Sequence, residues 1–266
     1  MPAGTKGTDI ALGSQNAVAV GADGTVLIAD SAASRVYALA ADGSITVRVD
    51  AGVLGGPIAT INAIAVSPSG TLYLADRENN RVVEIAPSAG SRPLSTPVNL
   101  PTGLAVDAAG DLWITSATSV LSRLHDGKLA TVVASSGGWQ ADENRPASSP
   151  FNATAVSAGT DGVYIVDNQR RNVRRLGADA QVATVAELPS EPFGARNPVG
   201  LAAGVAPAGP LYLVDTVGSR VFSVPVAASS GDNAGDDAAP VWPSVLGAAV
   251  VVVLIGVVVV SRRRRA

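Results

Sequence analysis

The sequence predicts an all-β fold for most of the chain, a β-propeller of about five four-stranded blades, followed by one C-terminal transmembrane α-helix. Three observations lead there. A strand-rich pattern recurs with copies opening at 16, 62, 101, 152 and 198, so the spacings run from 39 to 51 residues. Gly (28) and Pro (17) are frequent, which favours many turns over long helices. The final apolar stretch, 241–260, contains no charged residue.

The first copy reads NAVAVGADGTVLIADSAASRVYALAADGSITVRV from Asn16, and the second NAIAVSPSGTLYLADRENNRVVEIAP from Asn62. Copies three to five open at Pro101, Asn152 and Pro198. Each holds a short apolar run, a Gly-bearing turn, an apolar run ending in Asp, a polar loop, then Arg-Val and a further apolar run. LYLAD, VYIVD and LYLVD carry the β-branched, aromatic and leucine content of strands. Asp23-Gly24, Ser69-Gly70, Ala109-Gly110 and Asp161-Gly162 supply turn positions that tolerate positive φ. Four short strands per unit at this period describe propeller blades, since a leucine-rich horseshoe needs a shorter repeat and helical repeats need a 3.6-residue periodicity.

These residues resemble NHL repeats of the bacterial and teneurin-like branch, from about Asn16 to Val226. The recurring AD-x-x-x-x-RV core carries the resemblance, together with the linkers DAGVLGGPIATIN (50–62) and ASSGGWQADENRPASSPFN (134–152). The third copy departs: Thr115 and Ser116 stand where the family has Asp, and Ser122-Arg123-Leu124 where it has Arg-Val. The domain is read as 1–226, with Gly7–Leu12 as a strand that closes the ring by pairing with Arg220–Val226 and so hides an edge. A longer chain upstream would allow six blades.

Within the repeat, Asp30 with Arg35, Asp76 with Arg81, Asp167 with Asn172, and Asp215 with Arg220 are read as structural loop residues. Asp accepts backbone N–H groups after its strand and the basic or amide residue braces it. Repetition in every regular copy fits structure better than a ligand site, which is usually built once. Partner-binding candidates are Trp139, in the insertion 135–150, and Arg170 and Arg171. With Arg174 and Arg175 these arginines are read as loop and strand residues facing solvent. The partner expected is an unidentified protein or glycan.

Chemistry is constrained by what the chain contains. Cysteine is absent and His125 is the single histidine, which removes thiolate and multi-histidine metal sites and cysteine nucleophiles. His125 is read as a solvated histidine in the turn of LHDGKL. No catalytic residue, cofactor or metal is assigned, and the enzyme alternative is a metal-dependent propeller lyase or hydrolase of the lactonase kind. Net charge is −3; setting aside the +4 of Arg262–Arg265 leaves −7 for the rest, so the body has no broad attraction for nucleic acid. NHL propellers of some eukaryotic regulators bind RNA on a basic face, but aromatic residues for base stacking are few at 4%.

The segment 241–260 is long enough for a bilayer core and too apolar on all sides for a surface helix. Arg262, Arg263, Arg264 and Arg265 follow in 261–266 and place that end in the cytoplasm, so the propeller is expected outside. Residues 227–240, small, polar and acidic, read as a flexible tether. An exported domain needs an apolar leader, which MPAGTKGTDIALG does not supply, so the true start is expected upstream.

Overall fold

The computed structural model describes residues 2, 4–13, 15–54, 60–87, 91–94, 96–118, 120–133, 152–177, 182–188, 200–203, 211–215, 220–224, 253–254 and 257–258. They form four four-stranded antiparallel sheets and one three-stranded sheet, each a meander in sequence order. The first comprises β1 (Gln15–Val20), β2 (Val26–Asp30), β3 (Arg35–Leu39) and β4 (Ile45–Val49). The second has β5 (Ile61–Val66), β6 (Leu72–Asp76), β7 (Arg81–Ile85) and the short β8 (Ser91–Pro93). The third has β9 (Pro101–Val106), β10 (Leu112–Ser116), β11 (Val120–His125) and β12 (Lys128–Val133). The fourth has β13 (Ala153–Gly159), β14 (Gly162–Asp167), β15 (Asn172–Leu176) and β16 (Val182–Glu187). The fifth has β17 (Gly200–Ala203), β18 (Leu211–Asp215) and β19 (Arg220–Val224).

These strands form where the sequence has β-branched and aromatic runs cut by turns that only a few residues can make. Gly24, Gly70, Gly110 and Gly162 take φ of 81°, 83°, 91° and 146° in the turns joining the first two strands of successive sheets. The first strand of each sheet lies beside the first strand of the next. That stacking buries both faces of a middle blade. In β6, Leu72 and Leu74 pack with Leu27, Ala29 and Ile64 of the first interface. Tyr73 and Ala75, pointing the other way, pack with Leu104 and Ile114 of the third sheet. Two further cores join the third sheet to the fourth through Trp113, Leu121 and Ile165, and the fourth to the fifth through Val166, Leu213 and Phe222. A continuous apolar run such as LYLAD is therefore buried at every position, unlike the alternating pattern of a half-exposed strand.

The N-terminal segment differs from the ring-closing strand expected over 7–12. Gly7–Asp9 is a 3-10 turn, and Lys6 bridges Ser44 of the first sheet. Thr5 O accepts Ile45 N at 2.9 Å, Gly7 N donates to Gly43 O at 3.0 Å, and Gly13 N donates to Asp30 Oδ2 at 2.8 Å. Within 7–12, Gly7 N is thus taken up by the first blade, and Asp9 N by Lys6 O at 3.0 Å. β19 pairs with β18 alone among the described residues.

Of 241–260, the four described residues form two short paired strands, β20 (Val253–Leu254) and β21 (Val257–Val258), with β20 alongside β1. That differs locally from the helix expected there. Valine-rich sequence takes the extended form readily, and only a lipid surround obliges every backbone group to bond within its own segment. Among the described residues no helix is long and apolar enough to cross a membrane. The tether and Arg262–Arg265 lie outside the described residues.

Candidate functional site

Antiparallel meanders put the loop after each second strand, and the linker leading into each first strand, at one end of the blades. The turns between strands one and two, and three and four, lie at the other end. The repeated Asp–Arg positions all fall at the first end. In register, Asp30 faces Arg35, Asp76 faces Arg81, Asp167 faces Asn172 and Asp215 faces Arg220.

The three carboxylates whose side chains are described are buried, with Asp30 at 1% and Asp76 and Asp167 at 0% exposure. Asp30 accepts the backbone N–H of Gly13 at 2.8 Å and of Ala33 at 3.1 Å, while the Arg35 side chain is exposed. Asp76 accepts Arg81 Nε at 2.7 Å and Asn79 Nδ2 at 3.0 and 2.8 Å. Asp167 accepts the N–H of Asn152, Gln169 and Arg170 at 3.2, 3.0 and 3.4 Å. Each of these loops has four residues and closes on a left-handed one, Ser34, Asn80 or Arg171, with φ of 48°, 52° and 54°. A buried carboxylate that collects loop donors is what keeps a non-glycine residue in that conformation.

The fourth sheet adds a feature the sequence did not disclose. Its position across from Asp167 is Asn172, and the basic partners come from elsewhere. Arg174 Nε lies 3.5 Å from Asp167 Oδ2 and 3.4 Å from Asn172 Oδ1, and Arg170 Nε lies 3.9 Å from Asp167 Oδ2. The Arg174 side chain is 1% exposed and that of Arg170 is 9%. The expectation that these arginines face solvent is thus corrected: they are packed inward on a carboxylate that needs them, because an uncompensated buried charge is costly. Arg171 is half-buried and its carbonyl accepts Leu188 N at 2.6 Å. Arg175 turns to the opposite end, 3.0 Å from Asp161 Oδ2. Trp139 and the side chains of Asp215 and Arg220 lie outside the described residues.

The third sheet is built differently. Ser116 takes the Asp position and pairs with Val120, so Val120–Leu121 occupies the place expected for Ser122-Arg123-Leu124, and the loop is one residue shorter. Hydroxyls replace the carboxylate: Ser116 Oγ and Thr118 Oγ1 are 2.7 Å apart, and Thr102 Oγ1 and Thr115 Oγ1 are 3.1 Å apart. Gly103 is required beside them, since a Cβ there would stand 2.6 Å from Thr115 Oγ1.

Charge in this sheet gathers at the other end. Trp113 Nε1 donates to Asp107 Oδ2 at 2.8 Å, and Arg123 covers the indole at 5.4 Å from its centroid. Arg123 is hydrogen-bonded and ion-paired to the buried Asp111, and His125 Nδ1 lies 2.7 Å from Asp111 Oδ1. Burial pushes the Asp111 carboxyl up, but hydrogen bonds from His125 and Arg123 outweigh it and hold the group below the usual carboxylate range. The same hydrogen bond, with the charge behind it, raises His125 above an ordinary histidine. His125 is exposed as expected, but it is held by a buried acid rather than merely solvated. Asp111 follows the Ala109-Gly110 turn by one residue and sits fourteen positions from His125. Only the β10–β11 register could have joined them.

No protein-family model and no curated protein matches the chain. Solved structures do. Virginiamycin B lyase from Staphylococcus aureus superposes with a TM-score of 0.56 at 19% identity, covering 79% of this chain and 66% of that one. A streptogramin B lyase gives 0.59 at 18% identity, covering 81% and 67%. A nidogen/laminin complex gives 0.60 at 16% identity, covering 80% and 76%. The chain has the β-propeller fold. It spans about two thirds of the length of the lyase structures. These neighbours combine enzymes with a binding protein, so likeness at this identity fixes the architecture and leaves the activity open.

Proposed function

We propose that the chain is an NHL-type propeller that binds a protein or glycan partner at the outer face of the cytoplasmic membrane, anchored through 241–260. The observation that carries the binding reading is the engagement of the buried carboxylates by their own chain. Asp76 is hydrogen-bonded to Asn79 and Arg81, Asp111 to Arg123 and His125, and Asp167 to backbone donors. Groups so engaged serve folding and hold a rigid disc on which loops can be displayed. The apolar run and the four arginines after it support the anchor and its orientation.

A second reading, a metal-dependent lyase, is favoured by the lyase neighbours. One of these is a catalytically inactive histidine-to-alanine variant of the Staphylococcus aureus enzyme with quinupristin. Here the single histidine sits on the third-strand hairpin and is held by Asp111. Two assays separate the readings. Protease treatment of intact cells expressing the full chain is expected to digest the propeller and spare the arginine-bearing tail; a protected propeller overturns outside display. Incubation with quinupristin and a divalent cation is expected to leave that compound unchanged; its conversion to a product would establish the lyase.

A further inference from the structure

We propose that Asp111 and His125 form a proton-controlled clamp across the third sheet, closed while His125 is protonated and loosened when it is neutral. Asp111 lies at the base of the β9–β10 turn, where its own N–H is fixed by Asp107 Oδ1 at 3.0 Å. Its side chain is 6% exposed and reaches two cationic residues on β11. Arg123 is bound to one carboxylate oxygen and His125 to the other. His125 pairs with Lys128 across the tight β11–β12 turn, so whatever holds its ring also holds the outermost hairpin. The charged groups facing the imidazole are Asp111 from the β9–β10 turn, Arg123 from its own strand and Asp126 from the hairpin turn, whose Oδ2 is 3.5 Å from Nε2. Lys128 starts the strand beyond. Asp126 holds φ at 47° and Gly127 at 72°, the two left-handed positions of a two-residue hairpin turn that Asp-Gly makes readily.

Protonated, the imidazole donates from Nδ1 to Asp111 and offers Nε2–H to Asp126, bracing both sides of the turn. Neutral, it keeps one donor. Bonding Asp111 then requires the Nδ1–H tautomer and leaves Nε2 as a lone pair facing a second carboxylate. Because His125 is raised in the folded state, its contribution is complete below the ordinary histidine value and is lost as pH rises through the raised one. Asp111 is lowered, so its own protonation opens the clamp only in stronger acid. The closed window lies between the two, and His125 is the single histidine of the chain. The proposal is independent of any ligand.

The test is histidine NMR with amide hydrogen exchange on the full chain in nanodiscs. His125 is expected to titrate above about 6.5, the unperturbed value, and to fall back towards it in Asp111→Asn. Exchange at 126–133, corrected for intrinsic rates, should quicken several-fold as pH passes through the wild-type titration, with no such step in His125→Gln. His125→Gln leaves Asp111 and Arg123 in place, so the comparison survives if Asp111→Asn folds poorly. Titration at or below the unperturbed value, or hairpin exchange that matches His125→Gln at every pH, overturns the clamp.

Discussion

The second and third sheets solve the same problem with different chemistry. Both must turn a chain sharply after a buried strand, and both present a buried side chain at that strand's last position, Asp76 in one and Ser116 in the other. Asp76 gathers Asn79 and Arg81 around a four-residue loop. Ser116 bonds Thr118 within a three-residue loop, with no cation beside it among the described residues. The fourth sheet goes further than the second, placing two inward arginines on Asp167. A carboxylate permits a longer loop because it accepts several donors at once, while a hydroxyl closes a shorter one without a charge to neutralise. At the other end of the blades both sheets carry charge: the third has Asp111, Arg123 and His125 around a buried acid, and the second has the more exposed Glu84–Arg92 pair.

The comparison is most directly broken at Asp167. Asp167→Asn removes the charge facing Arg174, and a loss of about 3–5 kcal/mol in denaturant unfolding is expected. A loss below about 1 kcal/mol would mean that the arginines are held by other groups. The next test asks whether the third sheet depends on its own neutral packing. Gly103→Ala introduces a methyl against Thr115 Oγ1 and is expected to cost about 1–3 kcal/mol. Combining it with Thr115→Ala recreates the Ala63–Ala75 pair of the second sheet, so the double variant should regain much of that loss. Additive losses would show that Gly103 is needed for another reason. The smallest effect is expected at Ser116. Ser116→Ala should cost about 1 kcal/mol, the scale of one neutral hydrogen bond, and thermal unfolding would read it. A larger loss would mean that this hydroxyl anchors more than its short loop.

Much of the fold was legible because strand, turn and period are written in adjacent residues. The runs VLIAD, LYLAD and VYIVD are strands at the positions read from sequence, and the Asp–Arg spacing sets their register in the first two sheets. Legibility failed where partners are distant in the chain or a residue was lost. In the third sheet the loop is one residue shorter, and the pair that takes the Arg-Val place is Val120–Leu121, upstream of the Ser122-Arg123-Leu124 match. GTDIAL has the composition of a strand, yet Gly7–Asp9 is a 3-10 turn, with Gly7 N bonded to Gly43 O of the first sheet and the flanking Lys6 and Gly13 held by Ser44 and Asp30.

What the sequence alone determined is the class of architecture: local periodicity dictates four short strands per unit, and units with two apolar faces must stack on their neighbours to leave water. What only the tertiary structure decided is where charge is buried and what neutralises it. That Arg174 serves Asp167, and that Asp111 holds both Arg123 and His125, follows from which strands lie side by side. Electrostatic partners are chosen by distance in space, and distance along the chain carries almost none of that information.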